Sequence, residues 1–257
     1  MTSHLRSLLR AGFGAALCAL LLGPTATAQT ATALLVEDGL IPGAGGATAD
    51  ALNNTAVNHV GGYAIGISSS DDLSRVWGHA LGGPGVVLRT ESTVGDLEQT
   101  SFESFYGISD AGQVSYSASC TDTVTKTTGL DSVWLDDTVV VIEEQASADV
   151  PGSLWSFASR PGVTAGGTPY FVGGLTETQG GPTNPPGPFS AMDAATVLLA
   201  GQAVPDLPFP IAENSSSIDF DYRFSKDGTR YLAPVNMDTG STADDGTIVR
   251  SGEGLLL

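Results

Sequence analysis

The chain is poor in cysteine, in positive charge and in long apolar runs, and each shortage excludes something. Two cysteines in 257 residues, Cys18 and Cys120, give no disulfide framework. Ten Lys and Arg against 28 Asp and Glu leave a formal charge of −18, so phosphate-rich partners are repelled. Nucleic acid is therefore excluded as a partner, as is an anionic lipid surface. Outside the first residues no apolar run approaches the roughly 20 residues of a membrane-spanning helix, which predicts no integral membrane segment in the mature chain.

What the first residues do contain is a leader pattern. Arg6 and Arg10 precede an apolar run from Ala11 to Leu22, then Gly23-Pro24 and the small-residue triplet Ala26-Thr27-Ala28 before Gln29. Residues 1–28 are read as a secretory signal peptide and 29–257 as the mature domain, placed outside the cell, in the periplasm or at the cell surface. A lipoprotein reading of Cys18 is disfavoured, because Leu17 stands where a small residue is required. Removing the leader takes two basic residues and no acidic ones, so the mature charge is −20. That surplus reads as a solvated acidic face ahead of calcium binding. Cys120 is then the one remaining thiol, expected in a strand and buried or half-buried, with only Lys126 near enough in sequence to lower its pKa.

Helical periodicity is also lacking, while Gly (33 residues) and strand formers are plentiful. A tetrad recurs after an apolar residue: Asn/Ser/Thr, two variable residues and Gly. It stands at Val57-Asn58-His59-Val60-Gly61, Ile108-Ser109-Asp110-Ala111-Gly112, Val163-Thr164-Ala165-Gly166-Gly167 and Phe224-Ser225-Lys226-Asp227-Gly228. Seven residues after the Asn/Ser/Thr comes Ile65, Tyr116, Phe171 or Leu232, the expected inward residue of the next strand. The oxygen side chain can bond backbone groups just beyond it and Gly can take positive φ, so each tetrad predicts a hairpin turn carrying structure and not ligand chemistry.

Short apolar runs mark the same period. Leu34 to Val87 and Val87 to Val140 are each 53 residues apart, Val140 to Leu198 is 58, and Leu256 follows after another 58. Taking each run as the first strand of a repeat, nearest a common axis, gives repeats near 33–85, 86–138, 139–196 and 197–254. Four strands per repeat predict an all-β, β-propeller-like array of four four-stranded blades. Whether the ring closes stays open, since Leu255-Leu256-Leu257 either caps the fourth blade or begins a fifth. Trp77 and Trp134 share a position in the expected fourth strand, which predicts packing between blades. Asp72, Asp131 and Asp245 are placed in the loop before that strand. The third repeat carries a Pro/Gly-rich loop, Thr176 to Phe189.

No constellation names a reaction. His59 and His79 fall in predicted loops without partners at metal-ligand spacing, and no Gly-x-Ser-x-Gly elbow accompanies them. Asp219-Phe220-Asp221 puts two carboxylates on one strand face, but such pairs are commonly just solvated. Asp244-Asp245-Gly246 lacks the ligand series of a calcium loop and reads as a turn. No catalytic residue, metal site or cofactor is assigned, and the ligand-binding residues are unknown.

The run-and-turn pattern resembles secreted bacterial tandem-repeat proteins in which an apolar strand leads to Gly-x-x-x-Pro, as at Gly201 to Pro205 and, one residue shorter, within Gly39 to Gly43, and then to an Asn-x-x-Gly turn. Repeats two and three carry degenerate copies of the first element. Phe224-Ser225-Lys226-Asp227-Gly228-Thr229-Arg230-Tyr231-Leu232 also looks like the repeat of periplasmic TolB-type propellers. The resemblance implies secretion and a propeller-like fold, and lends no reaction. The expected function is a non-catalytic secreted or cell-surface interaction or structural module with a protein or glycan partner. The alternative is a carbohydrate-binding or carbohydrate-processing protein using Trp155, Asp219, Asp221 and Tyr222 at one rim.

Overall fold

A computed structural model describes residues 33–148, 150–176, 189–191, 196–198, 201–205, 207–212, 223–241, 246–250 and 254–255. Every regular element among them is a β-strand. The strands form four antiparallel sheets that follow one another along the chain. The first holds β1 (Ala49–Val57), β2 (Tyr63–Ser69), β3 (Ser74–His79) and β4 (Val86–Thr90). In the second, a two-residue β5 (Thr93–Val94) precedes β6 (Leu97–Ile108), β7 (Val114–Asp122), β8 (Thr128–Leu135) and β9 (Thr138–Ile142). The third has β10 (Leu154–Val163), β11 (Pro169–Thr176), β12 (Phe189–Ala191) and β13 (Thr196–Leu198); the fourth has β14 (Arg223–Phe224), β15 (Tyr231–Asn236), β16 (Gly246–Arg250) and β17 (Gly254–Leu255). Within every sheet the neighbours in space are neighbours in sequence, because short turns favour hairpin pairing.

The expected phase is wrong by one strand. Val86-Val87-Leu88, Val139 to Ile142 and Val197-Leu198 lie in β4, β9 and β13, each the last strand of its sheet. Leu34 to Val36 belongs to no strand. Leu255 lies in β17, which pairs with β16 and so continues the fourth sheet. An apolar run marks a strand but not its place in a meander, because either edge of a packed sheet can be apolar. Leaving aside the two-residue β5, the strand that opens each sheet is instead the one leading into the tetrad turn.

Register explains a second departure. The pairs flanking the first three turns, Val57↔Tyr63, Ile108↔Val114 and Val163↔Pro169, are each six residues apart, whereas Phe224↔Tyr231 is seven. One extra residue turns the strand over. Tyr116 and Phe171 are accordingly buried and Ile65 half-buried, while Leu232 is 43% exposed and Ala233 takes the inward place.

The core lies between successive sheets. Ala64 and Val76 pack with Tyr106, Val114, Tyr116 and Trp134; Val133 and Val141 pack with Trp155, Phe171 and Leu175; Val172 and Leu198 pack with Ala233 and Val235. The Val, Leu and Phe side chains among them each contribute about 1.5–3 kcal/mol when fully withdrawn from water. Counted from the strand that leads into the tetrad turn, Trp77 and Trp134 both lie in the third strand and are buried, Trp134 stacked on Tyr116 at 6.4 Å. Cys120 is fully buried in β7, as expected, and burial pushes its thiol pKa up. No helix among the described residues is long and apolar enough to cross a membrane.

Candidate binding cavity and its turn network

The opening strands of all four sheets meet around one cavity of about 520 Å³. Its wall is Asn54 to Val57 of β1, Tyr106 to Ile108 of β6, Arg160 to Val163 of β10, Tyr170 of β11 and Arg223 of β14. Three of these strands carry a register shift just where they reach it: Leu52/Thr55 in β1, Phe102/Tyr106 in β6 and Ser159/Gly162 in β10. Extra residues on one strand sharpen its twist and re-aim its side chains. In β10 the shift includes Arg160 at φ 54°, a left-handed conformation that costs a non-glycine residue free energy. Close approach is enforced beside it, since a Cβ on Gly107 would stand 2.7 Å from the backbone nitrogen of Val163.

The described lining residues include the two arginines Arg160 and Arg223 and no carboxylate. Arg160 is half-buried and Arg223 exposed. Tyr170 packs on Phe224 with ring centroids 4.7 Å apart, and burial raises its phenol pKa, with the charge of nearby Arg223 opposing the rise. Tyr106 is buried and its phenol is pushed up by desolvation and by Glu103. Glu103 accepts a hydrogen bond from Ser117 at 2.9 Å. Away from the cavity, Arg75 is paired with Asp71, and Arg89 with Asp136.

The four tetrads follow directly from the cavity strands and share one design. Backbone N–H groups of Asn58, Ser109 and Thr164 donate to the carbonyls of Gly62, Gln113 and Thr168 at 2.9–3.0 Å, and Ser225 donates to Arg230 at 2.8 Å across its longer turn. Their side-chain oxygens accept the returning N–H groups of Gly62 (2.6 Å), Gln113 (3.0 Å), Thr168 (3.1 Å) and Arg230 (2.9 Å). The closing glycines all have positive φ, between 73° and 92°, as this hairpin geometry requires. In the fourth turn Asp227 takes up the extra residue, accepting from Ser225 Oγ, Thr229 N and Thr229 Oγ1; these bonds lower its pKa to about 2.

The turns are also bonded to one another. Asn58 Nδ2 donates to the Ser109 carbonyl at 2.9 Å, and His59 N to Asp110 Oδ1 at 3.1 Å. Asp110 N donates to Ala165 O at 3.2 Å, and Ala165 N to Lys226 O at 3.0 Å. Lys226 Nζ returns to Asp110 Oδ2 at 3.0 Å. The middle residues of the tetrads, which share no common charge or size, are complementary: Asp110 holds His59 on one side and Lys226 on the other.

Other residues marked in the sequence are dispersed. Trp155, expected at an exposed rim, is 2% exposed and packs edge-on against Phe171, so it offers no stacking face. Asp219, Asp221, Tyr222, Asp244 and Asp245 lie outside the described residues, as does most of the Pro/Gly-rich loop. His79 ends β3, where Nδ1 accepts N–H groups of Leu81 and Gly83 at 3.1 and 2.9 Å. Asp72 sits in a turn at φ 63° as expected, but Asp131 is inside β8, paired with Ser119. Burial, with Glu103 and Glu143 nearby, raises the Asp131 pKa to about 6. No three His, Cys, Asp or Glu among the described residues are grouped to hold a metal ion.

Sequence reasoning missed the cavity. A usable signal was present in Arg160-Pro161-Gly162, since Pro inside a strand marks a bulge or an edge. Compared with protein-family models, curated proteins and solved structures, the chain shows no match to any of them.

Proposed function

We propose that the mature chain is a secreted or cell-surface binding module, non-catalytic, built as a four-bladed β-propeller whose blades are the four sheets. The observation that carries this reading is the convergence of all four sheets on one cavity wall. Meander sheets stacked through apolar faces, each presenting its opening strand to a shared centre, are the geometry of blades around an axis. A network of turn-to-turn hydrogen bonds beside the cavity favours a rigid wall, and rigid concave sites bind with little ordering cost. Secretion rests on the leader pattern of residues 1–28.

The carbohydrate-processing alternative loses Trp155 to the core. Full-length expression should yield a mature protein starting at Gln29 outside the cytoplasm. That protein, screened against polysaccharides, oligosaccharides and extracellular proteins, should bind saturably and release no reducing ends. Turnover of any glycan would overturn the non-catalytic reading. A crystal structure in which the opening strands of the four sheets do not surround one axis would overturn the blade arrangement.

A further inference from the structure

The cavity wall is made of strand edges and not of strand faces. Consecutive residues of a strand send their side chains to opposite sides of a sheet, yet the lining takes Asn54 to Val57, Tyr106 to Ile108 and Arg160 to Val163 as unbroken runs. What such runs have in common is the backbone that joins them. Strands β1, β10 and β14 are outermost in their sheets, and β5 covers only the start of β6, at Leu97 and Glu98. We infer that the free edge of β1 in this cavity takes up an extended peptide segment of a partner protein, which pairs with Thr55 to Val57 as an added strand. This rests on the binding-module reading and adds the partner's chemistry.

Register fixes which groups are offered. Asn58 N donates to Gly62 O, so the next pair, Val57↔Tyr63, lacks ladder bonds, Ala56↔Ala64 has them and Thr55↔Ile65 again lacks them. Val57 and Thr55 therefore turn their N–H and C=O groups away from β2, two residues apart, which is the repeat that an added strand matches. The bulge between Leu52 and Thr55 ends this regular edge. Accessibility singles out β1 among the wall strands. Asn54, Thr55 and Val57 are exposed, Val57 by 79%, whereas Tyr106, Gly107, Ile108, Pro161 and Gly162 are buried. Between β6 and β10 there is no room for a chain, since a Cβ on Gly107 would stand 2.7 Å from Val163 N. Sheets ordinarily protect an edge with charge, proline, brevity or a covering segment. Strand β10 has Arg160 and Pro161, and β14 is two residues long. Ala51 to Val57 holds neither charge nor proline. The exposed Val57 side chain offers apolar contact to one face of the added strand, and the surplus of acidic residues favours a segment flanked by basic ones.

Calorimetric titration of the mature protein should use three blocked heptapeptides. The first alternates valine and threonine between terminal lysines, the second replaces the lysines with glutamates, and the third is the lysine peptide methylated on every inner backbone nitrogen. The lysine peptide should bind saturably and, at low salt, more tightly than the glutamate peptide. Methylation keeps the side chains but removes the backbone donors, and should weaken binding by about ten-fold or more. Thr55→Pro and Val57→Pro each delete one outward N–H, leave the bonds to β2 in place and fill the edge with a ring, so each should weaken the lysine peptide by about ten-fold. Circular dichroism and melting curves matching the parent confirm that these variants fold; if neither folds, the methylated peptide decides alone. Equal binding of the methylated peptide, unchanged affinity in a folded proline variant, or no binding of either unmethylated peptide overturns the inference. Should the peptides fail while the parent still captures a glycan, the edge site falls and the binding-module reading stands. Glycan turnover with peptide binding still lost in Val57→Pro would do the reverse.

Discussion

Asp110 Oδ2 accepts from Lys226 Nζ at 3.0 Å, tying the turn of the second sheet to that of the fourth beside the cavity. The same carboxylate accepts the backbone N–H of His59 from the first sheet. Lys226, the hydrogen bond from His59 and the charge of His59 together hold the Asp110 pKa below its usual range. A carboxylate with a lowered folded-state pKa contributes stability above its unfolded pKa and loses it as pH falls through the folded value. Asp110→Asn should therefore lower Tm at pH 7 and narrow its difference from the parent on acidification below the ordinary carboxylate range. Melting curves across pH 2–7 check this, and a constant difference would show that Asp110 acts only through shape.

The turn glycines should differ among themselves. A Cβ on Gly112 would stand 2.7 Å from the Cβ of Ala80, whereas one on Gly61 meets nothing within 4 Å. Both have positive φ, 88° and 85°. Gly61→Ala should cost about 1 kcal/mol from backbone strain alone, and Gly112→Ala more, toward about 3 kcal/mol. Urea unfolding of the two variants measures the gap, and equal losses would place Ala80 out of contact.

Two tryptophans at the same strand position have different polar surroundings. Trp134 Nε1 donates to Ser132 Oγ at 2.8 Å, and Ser132 Oγ donates on to Ala118 O at 2.6 Å. Trp77 Nε1 is buried with no hydrogen-bond partner among the described residues. Trp134→Phe leaves Ser132 Oγ with only the weak thiol donor of Cys120, 3.1 Å away, and should cost about 1 kcal/mol more than Trp77→Phe, after both lose similar packing. Denaturant midpoints of the two variants at matched pH test the difference.

Asp131 should oppose stability at neutral pH. Its pKa is raised to about 6 by burial, then by Glu103 and Glu143. A folded state that binds its proton more tightly than the unfolded chain loses stability as pH rises from the ordinary aspartate value, about 3.9, toward 6. Asp131→Asn should raise Tm at pH 7.5 and change it little at pH 3.5. An identical shift at both pH values would assign the effect to packing.

All-β character was legible in the residues, because strand formers, glycine and the absence of a helical period act within a few neighbours of each position. So was the tetrad turn: the capping oxygen of Asn58, Ser109, Thr164 or Ser225 and the glycine that follows are local chemistry, and the backbone geometry follows from them. Cys120 was placed correctly for the same reason. Only the folded chain decided the rest. Which edge an apolar run occupies depends on what packs beside it, so Val86 to Leu88 closes one sheet instead of opening the next. The extra residue in the fourth turn exchanges Leu232 for Ala233 in the core, a parity effect invisible unless both strands of the pair are known. Trp155 was a surface aromatic by composition and a core residue by its contact with Phe171. The cavity itself joins Asn54, Tyr106, Arg160 and Arg223 from strands far apart in sequence, and the pairing of Asp110 with Lys226 spans two sheets. No local pattern encodes such neighbours, because they exist only once the sheets are packed together.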